Sequence, residues 1–397
     1  MSHPEYQDVL NYIEAYWQKA NFAPGQKIRG GALNSLMRVG YIQLPNDGMS
    51  PNDLYFAGMQ FYWDSYFTIL GLIDTGHGDL ARAVVDDLCY LYDTMGLIPA
   101  RNARSSMGRT QPPYLTRMAW EVYEEAGAAD DRWMSHVMTV AQNEYERVWN
   151  AGQRAVPELG LNRYRPRFFA RQLTVYESGW DQSTRFAHKG KNLVPVDLNA
   201  QLYQYEADLH NWTQLHAPDA AAFWLERMNQ RREAITKYLW DEETGFFYDY
   251  NLAAKRKEWF KTLAGFFPLW CGAATQEQAA RCREHLKAFE YDFGLATTEP
   301  VAWKGRQWDY PNGWAPLHYI VIMGLRRYGF HEDAYRLTRK WLNLCEELFK
   351  TTGQLWEKYD VVHGSVGLSG RYPTQPGFSW TNGVFIRLLA EIQNEHS

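Results

Sequence analysis

The chain has 397 residues, with 41 lysines and arginines against 46 aspartates and glutamates, and therefore a formal net charge of −5 at pH 7. This small negative charge excludes nucleic acid and an anionic membrane surface as expected partners. A hydrophobic fraction of 46% and a mean hydropathy of −0.50 describe a chain with ample apolar surface to bury, which excludes disorder as its dominant state.

Aromatic residues are the most informative part of the composition. The chain contains 17 Trp, 26 Tyr and 19 Phe, together 16% of its residues. So many rings predict a pocket for a small ligand with apolar faces and polar edges, of which sugars are the commonest case. The alternative interpretation is an aromatic-rich core.

The cysteines and the N-terminal pattern predict a cytoplasmic address. The four cysteines show no CxxC spacing, so we expect free, buried thiols in a reducing compartment: Cys89, Cys271, Cys282 and Cys345. The first residues carry acidic side chains within their apolar pattern, unlike a secretory signal. No run of about 18 apolar residues predicts a membrane span.

Apolar residues at helical spacing predict about a dozen helices. The predicted segments are 5–20, 62–74, 79–95, 114–126, 131–149, 196–216, 218–239, 261–271, 275–288, 314–328, 331–349 and 380–393.

The order of these helices predicts the architecture. No strand alternation is sustained, and no linker or low-complexity tract interrupts the series. We therefore expect a single all-α domain over 1–397, in which six helical hairpins close into an (α/α)6 toroid. Two segments, near 155–190 and 351–378, are too long to be connectors and are the expected active-site loops.

Four carboxylates stand beside aromatic residues in loop-like contexts: Asp64, Asp181, Asp309 and Glu357. Three of these four acids, Asp64, Asp181 and Asp309, directly follow a Trp, and this pair is useful in a sugar site because the ring supports the apolar face of the sugar while the carboxylate accepts its hydroxyls. Glycosidic cleavage needs one protonated and one ionised carboxyl on opposite sides of the bond. The alternative is that each Asp caps a helix or pairs with an Arg.

Several motifs occur in a fixed order along most of the chain. They are Tyr62-Trp63-Asp64-Ser65-Tyr66, Arg109-Thr110-Gln111-Pro112-Pro113, Glu177-Ser178-Gly179-Trp180-Asp181, Gln307-Trp308-Asp309-Tyr310-Pro311-Asn312-Gly313-Trp314, Glu357-Lys358-Tyr359-Asp360 and Trp380-Thr381-Asn382-Gly383. In this order the sequence resembles the trehalases, which are inverting α-glucoside hydrolases built on an (α/α)6 barrel.

The resemblance implies a role for each matching residue. Asp181 is the expected proton donor, and Glu357 is the expected base that activates water, which requires an ionised side chain that Lys358 or a nearby Arg can assist. The implied substrate-binding residues are Tyr62, Trp63, Asp64, Asn102, Arg109, Gln111, Trp180, Arg185, Trp308, Asp309, Arg371 and Trp380. Acid–base cleavage of this kind requires no cofactor, and no metal-ligand spacing is present. The expected partner is a small sugar, and the sequence does not predict an oligomeric state.

Two departures from the family pattern bear on substrate choice. The first signature of the family begins Pro-Gly-Gly-Arg-Phe, whereas this chain reads Leu54-Tyr55-Phe56-Ala57 and lacks that Arg. Arg371 replaces a Glu that faces the leaving sugar in the family, and this charge reversal predicts a changed leaving group. Trehalose is therefore not the expected substrate.

Arg101, Arg104 and Arg306 also lie in or beside the matching loops. Because arginine captures carboxylates and phosphates with two hydrogen bonds, an anionic glycoside such as glucosylglycerate or mannosylglycerate is an alternative substrate. The opposing interpretation is that these arginines pair with local carboxylates.

Two rival functions share the predicted architecture. Sugar epimerases and isomerases of this fold use histidines as acid and base, and here only His188 and His363 lie in the predicted active-site loops. A sugar-binding protein without catalysis is the third possibility, although both Asp181 and Glu357 are retained.

Overall fold

A computed structural model describes residues 4–26, 40–166, 173–187, 189–302, 304–370 and 372–394. Thirteen α-helices occur in these residues: α1 Gln7–Ala20, α2 Tyr62–Asp74, α3 Gly78–Met95, α4 Leu115–Trp120, α5 Asp131–Glu144, α6 Leu173–Glu177, α7 Val196–His216, α8 Pro218–Tyr238, α9 Phe267–Trp270, α10 Gln276–Arg283, α11 Ala315–Arg327, α12 His331–Thr352 and α13 Ser379–Asn394.

Helices are found in all twelve segments for which the sequence predicts one. Four of them continue in tighter or wider turns: π-turns Glu121–Glu125 and Tyr145–Trp149 follow α4 and α5, 3₁₀ turn Leu263–Phe266 precedes α9, and Glu284–Ala288 follows α10. The short helix α6 lies in the long loop near 155–190 and is not predicted. Within the described residues, no helix is long and apolar enough to cross a bilayer.

Short antiparallel strand pairs close many of the connections. They are Asn21–Phe22 with Gly48–Met49, Ala155–Val156 with Leu161–Asn162, Leu193–Val194 with Tyr250–Asn251 and Arg256–Lys257, Trp240–Asp241 with Phe246–Phe247, Glu290–Tyr291 with Gly294–Leu295, and Asn312–Gly313 with Tyr359–Asp360 and Ser365–Val366. The last group ties the segment before α11 to the loop that carries Glu357.

Six inner helices form a closed ring. Helix α2 contacts α4, α4 contacts α7, α7 contacts α9, α9 contacts α11, α11 contacts α13, and α13 returns to α2. The inner helices are buried on every side, as the uninterrupted buried stretch 62–72 of α2 illustrates. An outer layer packs on this ring, with α3 on α2, α5 on α4, α8 on α7, α12 on α11 and α1 on α13. The predicted all-α (α/α)6 toroid is confirmed.

Outer helices bury only one face, as the amphipathic pattern predicts. In α12 the buried side chains recur at helical spacing, with Leu337, Trp341 and Cys345 on the face that packs on the ring. Arg336, Glu347 and Lys350 lie on the other side of the helix and are exposed. The core therefore lies within the inner ring and between the two layers.

The ring closes where α2 and α13 meet backbone to backbone. A Cβ atom at Gly71 would lie 2.5 Å from the Cα of Gly383, and one at Gly383 would lie 2.0 Å from the carbonyl oxygen of Phe67. Only glycine fits at either position, because no side-chain rearrangement can relieve a clash with backbone.

Gly383→Ala is expected to lower the free energy of unfolding by about 2–3 kcal/mol, even though alanine is the better helix former, because the two helices must separate. Urea denaturation followed by circular dichroism measures this loss. The matched control is Gly40→Ala, where the new methyl group meets only the side chain of Arg104 at 3.4 Å. Equal stability of the two variants would contradict the close approach.

Candidate active site

A single open cavity brings together residues from the N-terminal ends of inner helices. Trp63 and Asp64 lie in the first turn of α2, Trp314 immediately precedes α11, and Trp380 lies in the first turn of α13. Its volume is about 880 Å³, a figure that includes the open space at its mouth. The walls are formed by Pro51, Tyr55, Phe56, Phe61, Trp63, Asp64, Arg101, Arg109, Gln111, Tyr176, Gly179, Asp181, Gln307, Trp308, Trp314, Glu357, Tyr372, Phe378 and Trp380.

Tryptophans form the buried part of this cavity. Trp308 stacks on Trp314 with ring centroids 3.8 Å apart and an interplanar angle of 4°, and Trp180 stacks on Trp308 at 5.6 Å. Trp63 packs against Trp308 at 5.6 Å, and Trp380 meets Trp314 edge to face. These buried rings form a rigid apolar surface on which the face of a sugar can rest.

Gly179 fixes the path of the segment that carries Asp181. Its φ of +76° is favourable for glycine, and a Cβ atom there would lie 2.7 Å from Cε2 of Trp63. The backbone therefore passes directly against the Trp63 ring before it reaches Trp180, which is fully buried, and Asp181, which lines the cavity.

Glu357 is buried and held by several donors. Lys358 Nζ donates to Oε2 at 2.7 Å, and the Tyr372 hydroxyl donates to Oε1 at 2.6 Å. The backbone N–H of Gln375 reaches Oε2 at 3.4 Å, and Trp380 Nε1 donates to the Glu357 carbonyl oxygen at 3.0 Å. Each of these described groups that contacts a carboxyl oxygen is a hydrogen-bond donor, which suits an ionised carboxylate because it accepts only.

Three carboxyl groups share the cavity. Asp64, Asp181 and Glu357 all line its walls. Burial raises the pKa of Asp64 well above its usual value, and the negative charges of Glu357 and Asp181 raise it further. Such a group of acids in one aromatic cavity is typical of a site that transfers protons.

Eight of the residues predicted from sequence line the cavity: Trp63, Asp64, Arg109, Gln111, Asp181, Trp308, Glu357 and Trp380. The Gln111 side-chain oxygen accepts the backbone N–H of Trp63 at 3.3 Å, so it also fixes the start of α2. The Arg109 guanidinium lies over the Tyr176 ring, 5.5 Å from its centroid.

Arg185 does not line the cavity, contrary to the expectation from sequence. Its guanidinium makes two hydrogen bonds to Asp197, at 2.9 and 2.6 Å, and two to Asp249, at 2.7 and 2.8 Å. It also lies 4.6 Å from the centroid of the Trp180 ring. Arg185 and Trp180 therefore form a layer behind the rings that line the cavity, because the buried carboxylates of Asp197 and Asp249 hold the guanidinium there.

Asp309 also lies behind the cavity walls. It accepts hydrogen bonds from Ser183 Oγ at 3.0 Å and from the backbone N–H of Thr184 at 2.7 Å. These bonds tie the loop that follows Asp181 to the segment that carries Trp308. The predicted contact residue is thus placed where it holds two loops together.

Tyr62 and Asn102 complete the set of predicted residues that lie outside the walls. The Tyr62 hydroxyl donates to Glu144 Oε2 at 2.9 Å, in a buried site where burial raises the pKa of Glu144 to about 7. The Asn102 side chain accepts the backbone N–H of Gln60 at 2.9 Å and donates to the Gly58 carbonyl at 3.3 Å. Both satisfy buried polar groups of neighbouring segments.

The four arginines singled out from sequence differ in position. Arg101 lines the cavity, with its guanidinium 5.8 Å from the centroid of the Phe61 ring. Arg104 is exposed, and Arg306 donates to Thr184 Oγ1 at 2.7 Å; neither lines the cavity. Arg371 lies outside the described residues.

The alternative function of an epimerase or isomerase depends on histidines as acid and base. No histidine is among the lining residues that the structure describes. His363 pairs with Asp360 at 2.8 Å and its side chain is 69% exposed, whereas His188 is outside the described part of the chain.

Several wall residues were not predicted as site residues. They are Pro51, Tyr55, Phe56, Phe61, Tyr176, Gly179, Gln307, Trp314, Tyr372 and Phe378. Gly179, Gln307 and Trp314 belong to the matching motifs, so those motifs could have indicated them as residues of the cavity wall. Tyr55 and Phe56 lie in the divergent stretch, and only the fold places them beside Tyr372, with which the Tyr55 ring stacks at 5.4 Å.

Arg185→Met is expected to lower the free energy of unfolding by about 3–5 kcal/mol, because it leaves two buried carboxylates without their cation. Arg283→Met is the matched control, since Arg283 is 41% exposed and its partner Asp333 keeps a second cation, Arg336, so that a loss of about 1 kcal/mol or less is expected. Chemical denaturation of both variants measures the difference. An unchanged stability of Arg185→Met would mean that Arg185 does not hold this layer together.

Comparison with known proteins agrees with this geometry. The family model described as Trehalase matches residues 56–172 and 166–393. The cytosolic neutral trehalase of Saccharomyces cerevisiae is 31% identical over 84% of this chain and 55% of its own length. The periplasmic trehalase of Escherichia coli (strain SMS-3-5) is 29% identical over 97% of this chain and 74% of its own length. The chain therefore spans just over half the length of the cytosolic relative.

Solved structures support the same assignment. The neutral trehalase Nth1 from Saccharomyces cerevisiae superposes with a TM-score of 0.77 at 30% identity, covering 87% of this chain and 73% of that chain. A GH63 mannosylglycerate hydrolase from Thermus thermophilus has a TM-score of 0.64 at 21% identity, over 84% of this chain and 93% of that one, a likeness of fold alone. From its motifs, its toroid and these matches, the chain belongs to the trehalase family of glycoside hydrolases.

Proposed function

We propose that this chain hydrolyses the α-glucosidic bond of a small α-glucoside in a single displacement with inversion. The observation that carries the proposal is that Asp181 and Glu357, which lie on separate loops, line one cavity with a tryptophan surface. Two carboxyl groups on opposite sides of a glycosidic bond are the minimum that this chemistry requires.

In the proposed reaction, Asp181 donates its proton to the glycosidic oxygen as the bond from that oxygen to the anomeric carbon breaks. Glu357 accepts a proton from a water molecule whose oxygen attacks the anomeric carbon from the other face. The products are the free sugar and the leaving alcohol, and one water molecule is consumed. The hydrogen bonds from Lys358 and Tyr372 support an ionised Glu357 at the start of this step.

Asp181→Ala and Glu357→Ala are each expected to lower kcat by at least about 10³-fold, since each removes one partner in proton transfer. The exposed Asp219→Asn on α8 is the control and should keep wild-type turnover. Proton NMR of the wild-type reaction should detect β-glucose first. Early α-glucose, or substantial activity in either Ala variant, would refute the assigned roles.

The leaving group is a separate part of the proposal. The named trehalases among the relatives favour trehalose, whereas the Leu54–Ala57 stretch lacks the family's Arg. We propose a small α-glucoside other than trehalose as the substrate. An anionic glycoside such as glucosylglycerate or mannosylglycerate is the second candidate, supported by Arg101 in the cavity wall.

A paired substrate panel distinguishes these candidates. If the leaving group is anionic, glucosylglycerate should be hydrolysed faster than the neutral glucosylglycerol, trehalose or kojibiose. Arg101→Gln should then lower kcat/KM for glucosylglycerate by about 10-fold or more and leave the neutral substrates within about threefold, because a charged hydrogen bond contributes about 1.5–3 kcal/mol. A strict preference for trehalose that Arg101→Gln does not alter would exclude both candidates.

We also propose a reducing cytoplasmic compartment for the protein. All four cysteines are free and buried, which supports this location. Relatives differ in this respect, since one is named cytosolic and another periplasmic.

A further inference from the structure

We propose that Lys358 and Tyr372 are positioning residues that hold the two oxygens of Glu357, one each, and so set both the direction and the charge of the base. The inference rests on the proposed function and extends it to residues that do not exchange protons with the sugar. Its basis is the arrangement of three side chains in a buried part of the cavity.

The geometry divides the carboxylate between two donors. Lys358 Nζ is 2.7 Å from Oε2, and the Tyr372 hydroxyl is 2.6 Å from Oε1. Each donor approaches a different oxygen, so the pair restricts rotation of the carboxylate about its last bond. Oε2 also receives the backbone N–H of Gln375 at 3.4 Å, so the second lone pair of Oε1 is the position left for a water molecule, and the Tyr372 hydroxyl on the same oxygen fixes its direction.

Lys358 is itself held in one place. Its side chain is fully buried, and its ammonium group lies 5.1 Å from the centroid of the Trp314 ring and 5.4 Å from that of Tyr372. A buried cation between two aromatic faces is stabilised by the negative charge of those faces. It supplies the positive charge that an ionised Glu357 needs among aromatic residues.

Tyr372 is held by contacts that do not depend on its hydroxyl. Its ring stacks on Tyr55 at 5.4 Å and meets Phe56 edge to face at 5.9 Å. Burial raises the pKa of Tyr372 well above its usual value, and the charge of Glu357 adds to this shift, so the hydroxyl keeps its proton. Tyr372→Phe therefore removes the hydrogen bond to Glu357 and the long one that the hydroxyl accepts from Gln307 Nε2 at 3.5 Å, and it leaves the ring packing intact.

Other charged residues line the same cavity as Glu357: Asp64, Asp181, Arg101 and Arg109. Among the hydrogen bonds that the described residues make to the Glu357 carboxylate, the bond from Lys358 brings a positive charge, whereas the bonds from Tyr372 and the Gln375 backbone come from neutral donors. We therefore expect the two variants to differ in kind: Lys358→Met changes mainly the charge of Glu357, and Tyr372→Phe changes mainly its direction.

The test compares Tyr372→Phe and Lys358→Met with a matched control. Tyr291→Phe serves as the control because Tyr291 is also half-buried and packs against another tyrosine, Tyr310, with ring centroids 5.5 Å apart and outside the cavity. Tyr372→Phe is expected to lower kcat about 10- to 100-fold with KM within about threefold, as for a misdirected catalytic group. Tyr291→Phe should retain wild-type kcat.

The pH profile gives a readout that loss of structure does not mimic. In Lys358→Met the acid limb of the kcat/KM profile should move up by about 1–2 pH units, since an opposite charge at this distance has such an effect. In Tyr372→Phe the limb should move by less than about 1 unit. The proposal would be overturned if Tyr372→Phe kept the wild-type pH profile and kcat. It would also be overturned if kcat fell in Lys358→Met while the acid limb of the profile did not move.

A measurement without substrate separates this inference from the proposed function. The carbon-13 carboxyl resonance of Glu357, assigned by its disappearance in Glu357→Gln, can be titrated in wild type and both variants. Its midpoint should move to higher pH in Lys358→Met, and in Tyr372→Phe to a smaller extent, whichever glycoside is hydrolysed. Identical midpoints in all three proteins would refute the role of Lys358, even if the enzyme is an active hydrolase. If Lys358→Met does not fold, Tyr372→Phe alone decides, and an unchanged kcat refutes the proposal.

Discussion

The closure of the inner ring between α2 and α13 is the constraint on which the site depends. These helices come from distant parts of the chain and meet at Gly71 and Gly383, where backbone contacts backbone. Thr68 and Ser379 add a hydrogen bond of 2.9 Å between their hydroxyls. Because the first turn of each helix carries part of the cavity wall, this contact determines how closely the tryptophan and carboxylate groups of the two helices approach. A small separation here would open the cavity itself.

The cavity combines features that oppose each other energetically. Aromatic walls suit the face of a sugar, but burial among them disfavours the ionised form of Asp64. The raised pKa of Asp64 expresses this cost. Glu357 faces donors and a buried ammonium group, whereas at Asp64, in the first turn of α2, burial outweighs the favourable helix dipole and raises the pKa. The environment of these two acids thus distinguishes them.

The opposite end of the ring has a different chemistry. A second cavity is lined by residues of all six inner helices, among them Tyr66, Arg117, Glu121, Gln204, Trp270, Tyr319 and Arg387. Arg387 pairs with Asp74 at 2.7 Å and with Glu121 at 3.2 Å, and Arg117 pairs with Asp208 at 3.2 Å. These pairs connect α13, α2, α4 and α7 across the ring axis. Ion pairs therefore connect the inner helices at the end of the ring for which no reaction is proposed.

The sequence by itself determined the helices and the identity of the cavity's main residues. Apolar periodicity depends on local geometry, so all twelve predicted segments contain helix, and ordered motifs identified Trp63, Asp181 and Glu357 as residues that share a cavity. Only the tertiary structure decided which way the other loop side chains point. Arg185 turns from the cavity because Asp249, 64 positions away in sequence, is buried beside it, and Tyr372 reaches Glu357 because the ring brings its loop against Tyr55. Such orientations depend on long-range pairing of buried charges and rings, which no local pattern in the sequence encodes.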